Sequence, residues 1–341
     1  MKLKILICNL ILCVTCNAQI TNTINSNRPG KSFGAYAVGK KVIQLETGLY
    51  NENKKHVLMQ NKALGFGAEI DVRYGAFFEQ LEFIGEIDYK TDRFESPYGA
   101  QNRSGLNHFR LGAKYLVYDP WKNYEPEVNL YSWKARNKFK LRYLIPAVAV
   151  YAGANFKLGN NPFTFPTDAS ISPKVMVLLQ QTLSPKWSVV TNIIADKITT
   201  DYPTYGYILT VTHGINYKWS IFAEDQGFKS DYYADNIFRA GAAYLINDNL
   251  QVDASFGFNF KDTPKVNMFG IGLSWRNTNK HTPHRIYKKA KAPVVEDTEV
   301  VVEQEPQEPF ETEFYNNEEL NLNIEIENRV IEEEEEEIIL E

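Results

Sequence analysis

Residues 64–74, LGFGAEIDVRY, alternate with a period of two. Leu64, Phe66, Ala68, Ile70, Val72 and Tyr74 fall on one side of an extended chain, and Gly65, Gly67, Glu69, Asp71 and Arg73 on the other. The stretch LEFIGEIDY (81–89) repeats the pattern, with Leu81, Phe83, Ile87 and Tyr89 opposite Glu82, Glu86 and Asp88. Period two marks a β-strand with two unlike faces. Twelve such runs lie near 41–51, 63–74, 79–90, 106–118, 143–156, 174–183, 186–196, 204–215, 218–226, 237–246, 249–260 and 265–276, with no helical periodicity between them. Each is close to the roughly 9–11 residues with which a tilted strand crosses a bilayer. A secreted β-sandwich also alternates, but its core would have to take nearly all of the 20 Phe and 20 Tyr. A closed barrel in lipid turns the apolar side outward and the charged side into a lumen. The expected fold is therefore all-β, an antiparallel transmembrane outer-membrane β-barrel of about 12 strands.

The connections sharpen this reading. Tight turns are expected at Gly75, Ser184-Pro185, Asn216 and Asn247-Asp248, and longer loops at 52–62, 91–105, 157–173, 197–203 and 227–236. Two connections break the rhythm: 119–142 is long where a turn is due, and 261–264 is short where a loop is due. An even strand count puts both termini at one end, beside the short turns, which in outer-membrane barrels is the periplasmic end. Tyr74, Tyr89, Phe109, Trp187, Tyr205, Trp219 and Trp275 sit near run ends on the apolar phase, where rings favour a membrane interface.

The N-terminus MKLKILICNLILCVTCNAQ has Lys2 and Lys4 before a short apolar run and small residues around Ala18, the pattern of a secretory signal peptide over 1–18. A lipobox at Cys16 fits its preceding residues poorly. Cys8, Cys13 and Cys16 are the only cysteines, so the expected mature chain has no disulfide or thiolate site. A lead-in spans 19–39 and the barrel 40–276. A basic hinge, 277–293, precedes an acidic tail, 294–341. Residues 291–341 carry 19 acidic and 2 basic side chains, a net of −17 against −5 for the whole chain. Such a tail repels itself and stays solvated. One piece of it, LNLNIEIEN (320–328), keeps Leu320, Leu322, Ile324 and Ile326 on one side. That order suits an edge strand on a periplasmic or outer-membrane partner, with the Glu run to 337 steering the encounter.

The stretch SNRPGKSFGAYAVGKKVIQLETGLY (26–50) resembles the opening of the outer-membrane barrels grouped as "MetA-pathway of phenol degradation" transporters. Arg28-Pro29-Gly30, then Gly39, Gln44, Glu46 and Gly48, match that family's pattern. DVRYGAFFEQLEFIGEIDY is similar to its second hairpin and FRLGAKYLVYD (109–119) to its fourth strand. The resemblance spans about 26–276 and implies a twelve-stranded barrel passing a small, hydrophobic or aromatic compound. The acidic tail departs from the simple pattern.

The alternation places Glu46, Glu69, Asp71, Arg73, Glu82, Glu86, Asp88, His108, Arg110, Lys114, Glu224, Arg239 and Asp253 on the lumen phase. Acids gather on the first three runs, bases on the fourth and at Arg239, an arrangement suited to ion pairs crossing the barrel. Two readings stay open: a satisfied interior plug, or a narrow charged pathway for a small solute. A further alternative is a non-conducting subunit that docks a partner through its tail. No His–Ser relay, metal-ligand spacing or phosphate loop accompanies the five histidines, so neither enzyme nor cofactor is expected. The hinge cations suit a phospholipid headgroup or an acidic partner, and no nucleic acid is expected.

Overall fold

The computed structural model describes residues 23–122, 141–159, 161–164 and 168–278. The signal peptide, the basic hinge beyond 278, the acidic tail with Leu320, Leu322, Ile324 and Ile326, and most of 119–142 lie outside them. Twelve strands follow one another: β1 (Ile43–His56), β2 (Asn61–Gly75), β3 (Leu81–Ser96), β4 (Gly99–Tyr118), β5 (Ala147–Phe156), β6 (Ile171–Ser184), β7 (Trp187–Asp196), β8 (Thr204–Gly214), β9 (Trp219–Lys229), β10 (Ala234–Asn247), β11 (Leu250–Asn259) and β12 (Lys265–Asn277). Each pairs antiparallel with its chain neighbours, and β1 pairs with β12 from Ile43↔Asn277 to Lys55↔Lys265, closing the sheet. Closure satisfies every strand edge, which a sheet in lipid requires.

The two faces obey the period of two. Phe66, Ile70, Val72, Phe83, Ile87, Phe269, Ile271 and Trp275 stand exposed on the outside. Their alternates Arg73, Glu82, Lys114 and Glu224 are wholly buried inside. An apolar surface on this scale is stable only against lipid. No described helix is long and apolar enough to span a membrane.

Two expected loops are strands. Residues 52–56 and 61–62 extend the β1–β2 ladder to His56↔Asn61, and 91–105 is a long hairpin of β3 and β4 closed at Ser96↔Gly99. Their sequence alternation fades because both phases are mostly polar there, so no apolar side marks the strand. Cross-strand pairs support the ladder instead, as Lys62 and Glu95, directly opposed and 2.9 Å apart, do.

The lead-in is not outside the barrel. It enters at the end that holds the short turns, where the Ile24 amide donates to the Asp248 carbonyl at 2.7 Å. It runs up the lumen to Lys31, whose amine pairs with Glu69 of β2. It then descends past Phe33 and Val38 and leaves beside the β2–β3 turn. There the Lys41 amide donates to the Gly75 carbonyl at 2.8 Å, and Gly39 takes φ 94° to make the exit bend. Segment 23–41 is thus a loop folded inside its own barrel.

The face assignment has a direct check. Ile70→Arg, on the lipid face, should cost about 2–4 kcal/mol in reversible unfolding from bilayers. Asn53→Arg, in the same phase but on the extension beyond the belt, should cost far less.

Candidate functional site

A chain that loops through a barrel carries backbone N–H and C=O groups that no ladder satisfies. Here lumen side chains take them. The Glu46 carboxylate accepts from the amides of Asn27 (3.1 Å) and Arg28 (3.3 Å). Glu224 accepts from Lys31 (2.8 Å) and Ser32 (3.2 Å), and Glu82 from Val38 (2.8 Å). Such charge-assisted acceptors are the stronger kind. Asn192 mimics a strand partner: Oδ1 accepts from the Phe33 amide at 2.6 Å, and Nδ2 donates to the Phe33 carbonyl at 2.9 Å. Gln180 accepts from Ala35 (2.9 Å), and the Lys114 amine donates to the carbonyls of Gly34 (2.7 Å) and Tyr36 (2.9 Å).

The segment's own cations return the favour. Arg28 lies between Glu69 of β2, 3.0 Å from Nη1, and Asp253 of β11, 3.2 Å from Nη2. Below them is a second network. Arg73 forms a fork on Glu82, with Nε at 3.2 Å and Nη2 at 3.1 Å, and its Nη1 reaches Glu46 at 3.0 Å. Lys114 reaches Glu82 at 2.8 Å, and all four of these side chains are completely buried. Arg239 pairs with Glu224 at 3.1 Å. Nearer the loop end, Arg110 pairs with Glu86 at 2.8 Å and the His108 ring lies 3.4 Å from Asp88. Asp71 faces the larger cavity described below.

All thirteen charged candidates thus meet in the interior, but not as pairs reaching across it. Glu82–Lys114, Glu86–Arg110, Asp88–His108 and Glu224–Arg239 are neighbours along the wall, fixed by strand register. The segment links strands that are not neighbours: Arg28 joins Glu69 of β2 to Asp253 of β11 along the seam, and Lys31 joins Glu69 to Glu224 of β9. Alternation alone missed Arg28, Lys31, Gln180 and Asn192, because the first two lie in no strand and the amides carry no charge to flag them.

An apolar patch lies among the charged rows, on β3 to β6. Phe33 and Ala35 pack into a buried cluster of Ile84, Leu116, Ala147, Ala149, Tyr151, Met176 and Leu178. The Phe33 and Tyr151 rings meet edge to face at 5.6 Å. Two cavities lie among the described residues. One of about 400 Å³ lies toward the long hairpins, reached by Tyr50, Asp71, Glu86 and Lys174. The other, about 220 Å³, lies toward the short turns, reached by Ser188, Thr212 and Gln251. Residues 27–30 line both.

A family model described as "Putative MetA-pathway of phenol degradation" matches residues 26–277, well over half of the chain. The chain belongs to this family. No curated protein matches it. Among solved structures, it is similar to an outer membrane channel from Pseudomonas putida F1 at 12% identity and TM-score 0.47, covering 74% of this chain and 100% of that one. It is similar also to the CymD monoaromatic hydrocarbon channel, at 10% identity and TM-score 0.38, covering 70% and 88%. A third is the Pseudomonas putida toluene transporter TodX, at 10% identity and TM-score 0.38, covering 76% and 98%.

In this member of the phenol-degradation family, the matching residues near the N-terminus converge. Glu46 caps the amides before Pro29, and Gln44 donates to Glu46 at 2.7 Å and to the Asn25 carbonyl at 3.1 Å. Gly30 lies against Glu224, and Gly48 beneath the Arg28 guanidinium. The motif is a docking interface between the segment and the wall, written in two halves along the chain.

Arg73→Ala would leave Glu46 and Glu82 buried with one cationic partner fewer. It should cost about 3–5 kcal/mol in denaturant unfolding, and Arg73→Lys should recover only part of this because it lacks the fork.

Proposed function

We propose that this barrel sits in a Gram-negative outer membrane and passes a small solute, and that the arrangement described is its closed state. One observation carries the reading: among the described residues the lumen holds two cavities that are both lined by residues 27–30 of a segment tethered to the wall at the short-turn end. Moving that segment aside joins them. Twelve strands enclose a lumen between the side-chain-filled eight-stranded barrels and the open porins, so a narrow, charged path fits the size.

The apolar patch supports a hydrophobic or aromatic solute. The Phe33 ring rests on Tyr151 and among Met176 and Leu178, and its withdrawal uncovers a ring-sized apolar patch beside the charged row. The reading involves no catalysis and needs no cofactor. Both termini of the barrel lie at the short-turn end, taken as periplasmic, while the polar extensions of β1–β4 reach the outside medium.

All cysteines precede residue 19, so an engineered pair is chemically clean. With Phe33→Cys and Asn192→Cys joined by a disulfide, the barrel reconstituted in planar bilayers should stay closed, and reduction should let it open. A variant lacking 23–36, with barrel folding checked by heat-modifiable gel migration, should conduct continuously. A folded deletion variant that passes neither ions nor aromatic solutes would overturn the channel and favour the non-conducting, tail-docking subunit.

Protease added to intact cells should leave 291–341 uncut and remove it once the outer membrane is opened. Cleavage in intact cells would reverse the orientation.

A further inference from the structure

The closing seam of the barrel carries an unusual row. Glu69, Gly48, Gly272 and Asp253 are successive register partners across β2, β1, β12 and β11. The middle two have no side chain, and the outer two are carboxylates. Glycine inside a strand weakens it and marks a close approach by a ligand or another backbone. The approach here is made by Arg28. A Cβ added at Gly48 or Gly272 would collide with the guanidinium group itself. The row is a flat floor with an acid at each end, and the guanidinium lies on that floor with Nη1 toward Glu69 and both Nη2 and Nε toward Asp253. The Ile271 carbonyl accepts a further bond from Nη2 at 3.4 Å.

We infer that the Glu69–Gly48–Gly272–Asp253 row is a binding site for a planar organic cation of the guanidinium class, filled by Arg28 in the closed barrel and offered to a guanidinium-bearing solute when the segment moves. The proposal rests on the reading of segment 23–41 as movable and names one chemical group the path recognises. Shape and charge both select that group. The two-glycine floor admits a flat ion, and a guanidinium carries donors in a fixed fork that reach both carboxylates at once, which a compact ammonium or an alkali ion does not. The site lies where both cavities meet, since Arg28 lines each of them. Its vacated state faces the joined lumen.

The test uses the full-length barrel in detergent. Arg28→Ala should lower the midpoint of thermal unfolding. Guanidinium chloride should raise it again, half-maximally at about 1–10 mM, a millimolar affinity typical of a small ion. Potassium chloride at equal ionic strength should not restore it, and wild type should not respond. Adding Gly272→Ala to Arg28→Ala places a methyl group on the vacated floor and should abolish the guanidinium effect. Equal recovery with potassium, or recovery that survives Gly272→Ala, would overturn the site. If Arg28→Ala fails to assemble in cells, its yield on refolding from urea with either salt decides the same question.

A separate arm addresses passage. In the variant lacking 23–36, current should be blocked or carried by millimolar guanidinium in preference to potassium. Guanidinium recovery in Arg28→Ala without any current through the deletion variant would leave the site standing and sink the channel. Current indifferent to guanidinium would sink the site and leave the channel.

Discussion

The ion pairs among Arg73, Glu46, Glu82 and Lys114 are sealed from bulk solvent, and this chain is organised around that constraint. Lipid requires one face of every strand to be apolar, and closure then drives each polar alternate into a shared interior. Arg73, Glu46, Glu82 and Lys114 are completely buried there. A charge buried without a partner costs several kcal/mol. The acids of β1–β3 therefore need cations or N–H donors at fixed places. Strand register supplies some, by setting Lys114 beside Glu82 and Arg110 beside Glu86. The wall does not supply enough. Glu69 and Asp253 find Arg28, and Glu46 and Glu224 find the amides of residues 27, 28, 31 and 32.

Segment and wall thus solve one another's problem. A chain threaded through a lumen has unpaired amides, and the wall has unpaired carboxylates. The same contact that stabilises the barrel obstructs it. These bonds all belong to a short stretch that enters and leaves at one end, and none of them is part of a strand ladder. The apolar half of the contact, Phe33 and Ala35 on Tyr151 and Leu178, gives the segment a preferred face and so a single docked position.

The motif near the N-terminus acquires a physical meaning from this. Arg28-Pro29-Gly30 and Gln44-Leu45-Glu46-Thr47-Gly48 look unrelated along the chain. In space one is the segment and the other its berth: Glu46 caps amides, Gln44 holds Glu46, and Gly48 clears room for a guanidinium. Two glycines were needed for that room, and the second, Gly272, lies on the last strand. No local signal joins them.

Much of the barrel was legible in the sequence, because its rule is local. Period two follows from the geometry of a strand, and strand length from the thickness of lipid, so the twelve strands, their order and their inward charges follow from residues such as Ile70 and Arg73 alone. The rule failed at 52–62 and 91–105, where both phases are mostly polar and the contrast on which alternation depends is lost. What only the tertiary structure decided is the fate of residues 23–41 and the partners of the inward charges. A lead-in without strand periodicity carries no sign of where it goes. Its destination is set by carboxylates and amides from β1, β3, β6, β7, β9 and β11, which converge only once the sheet has closed.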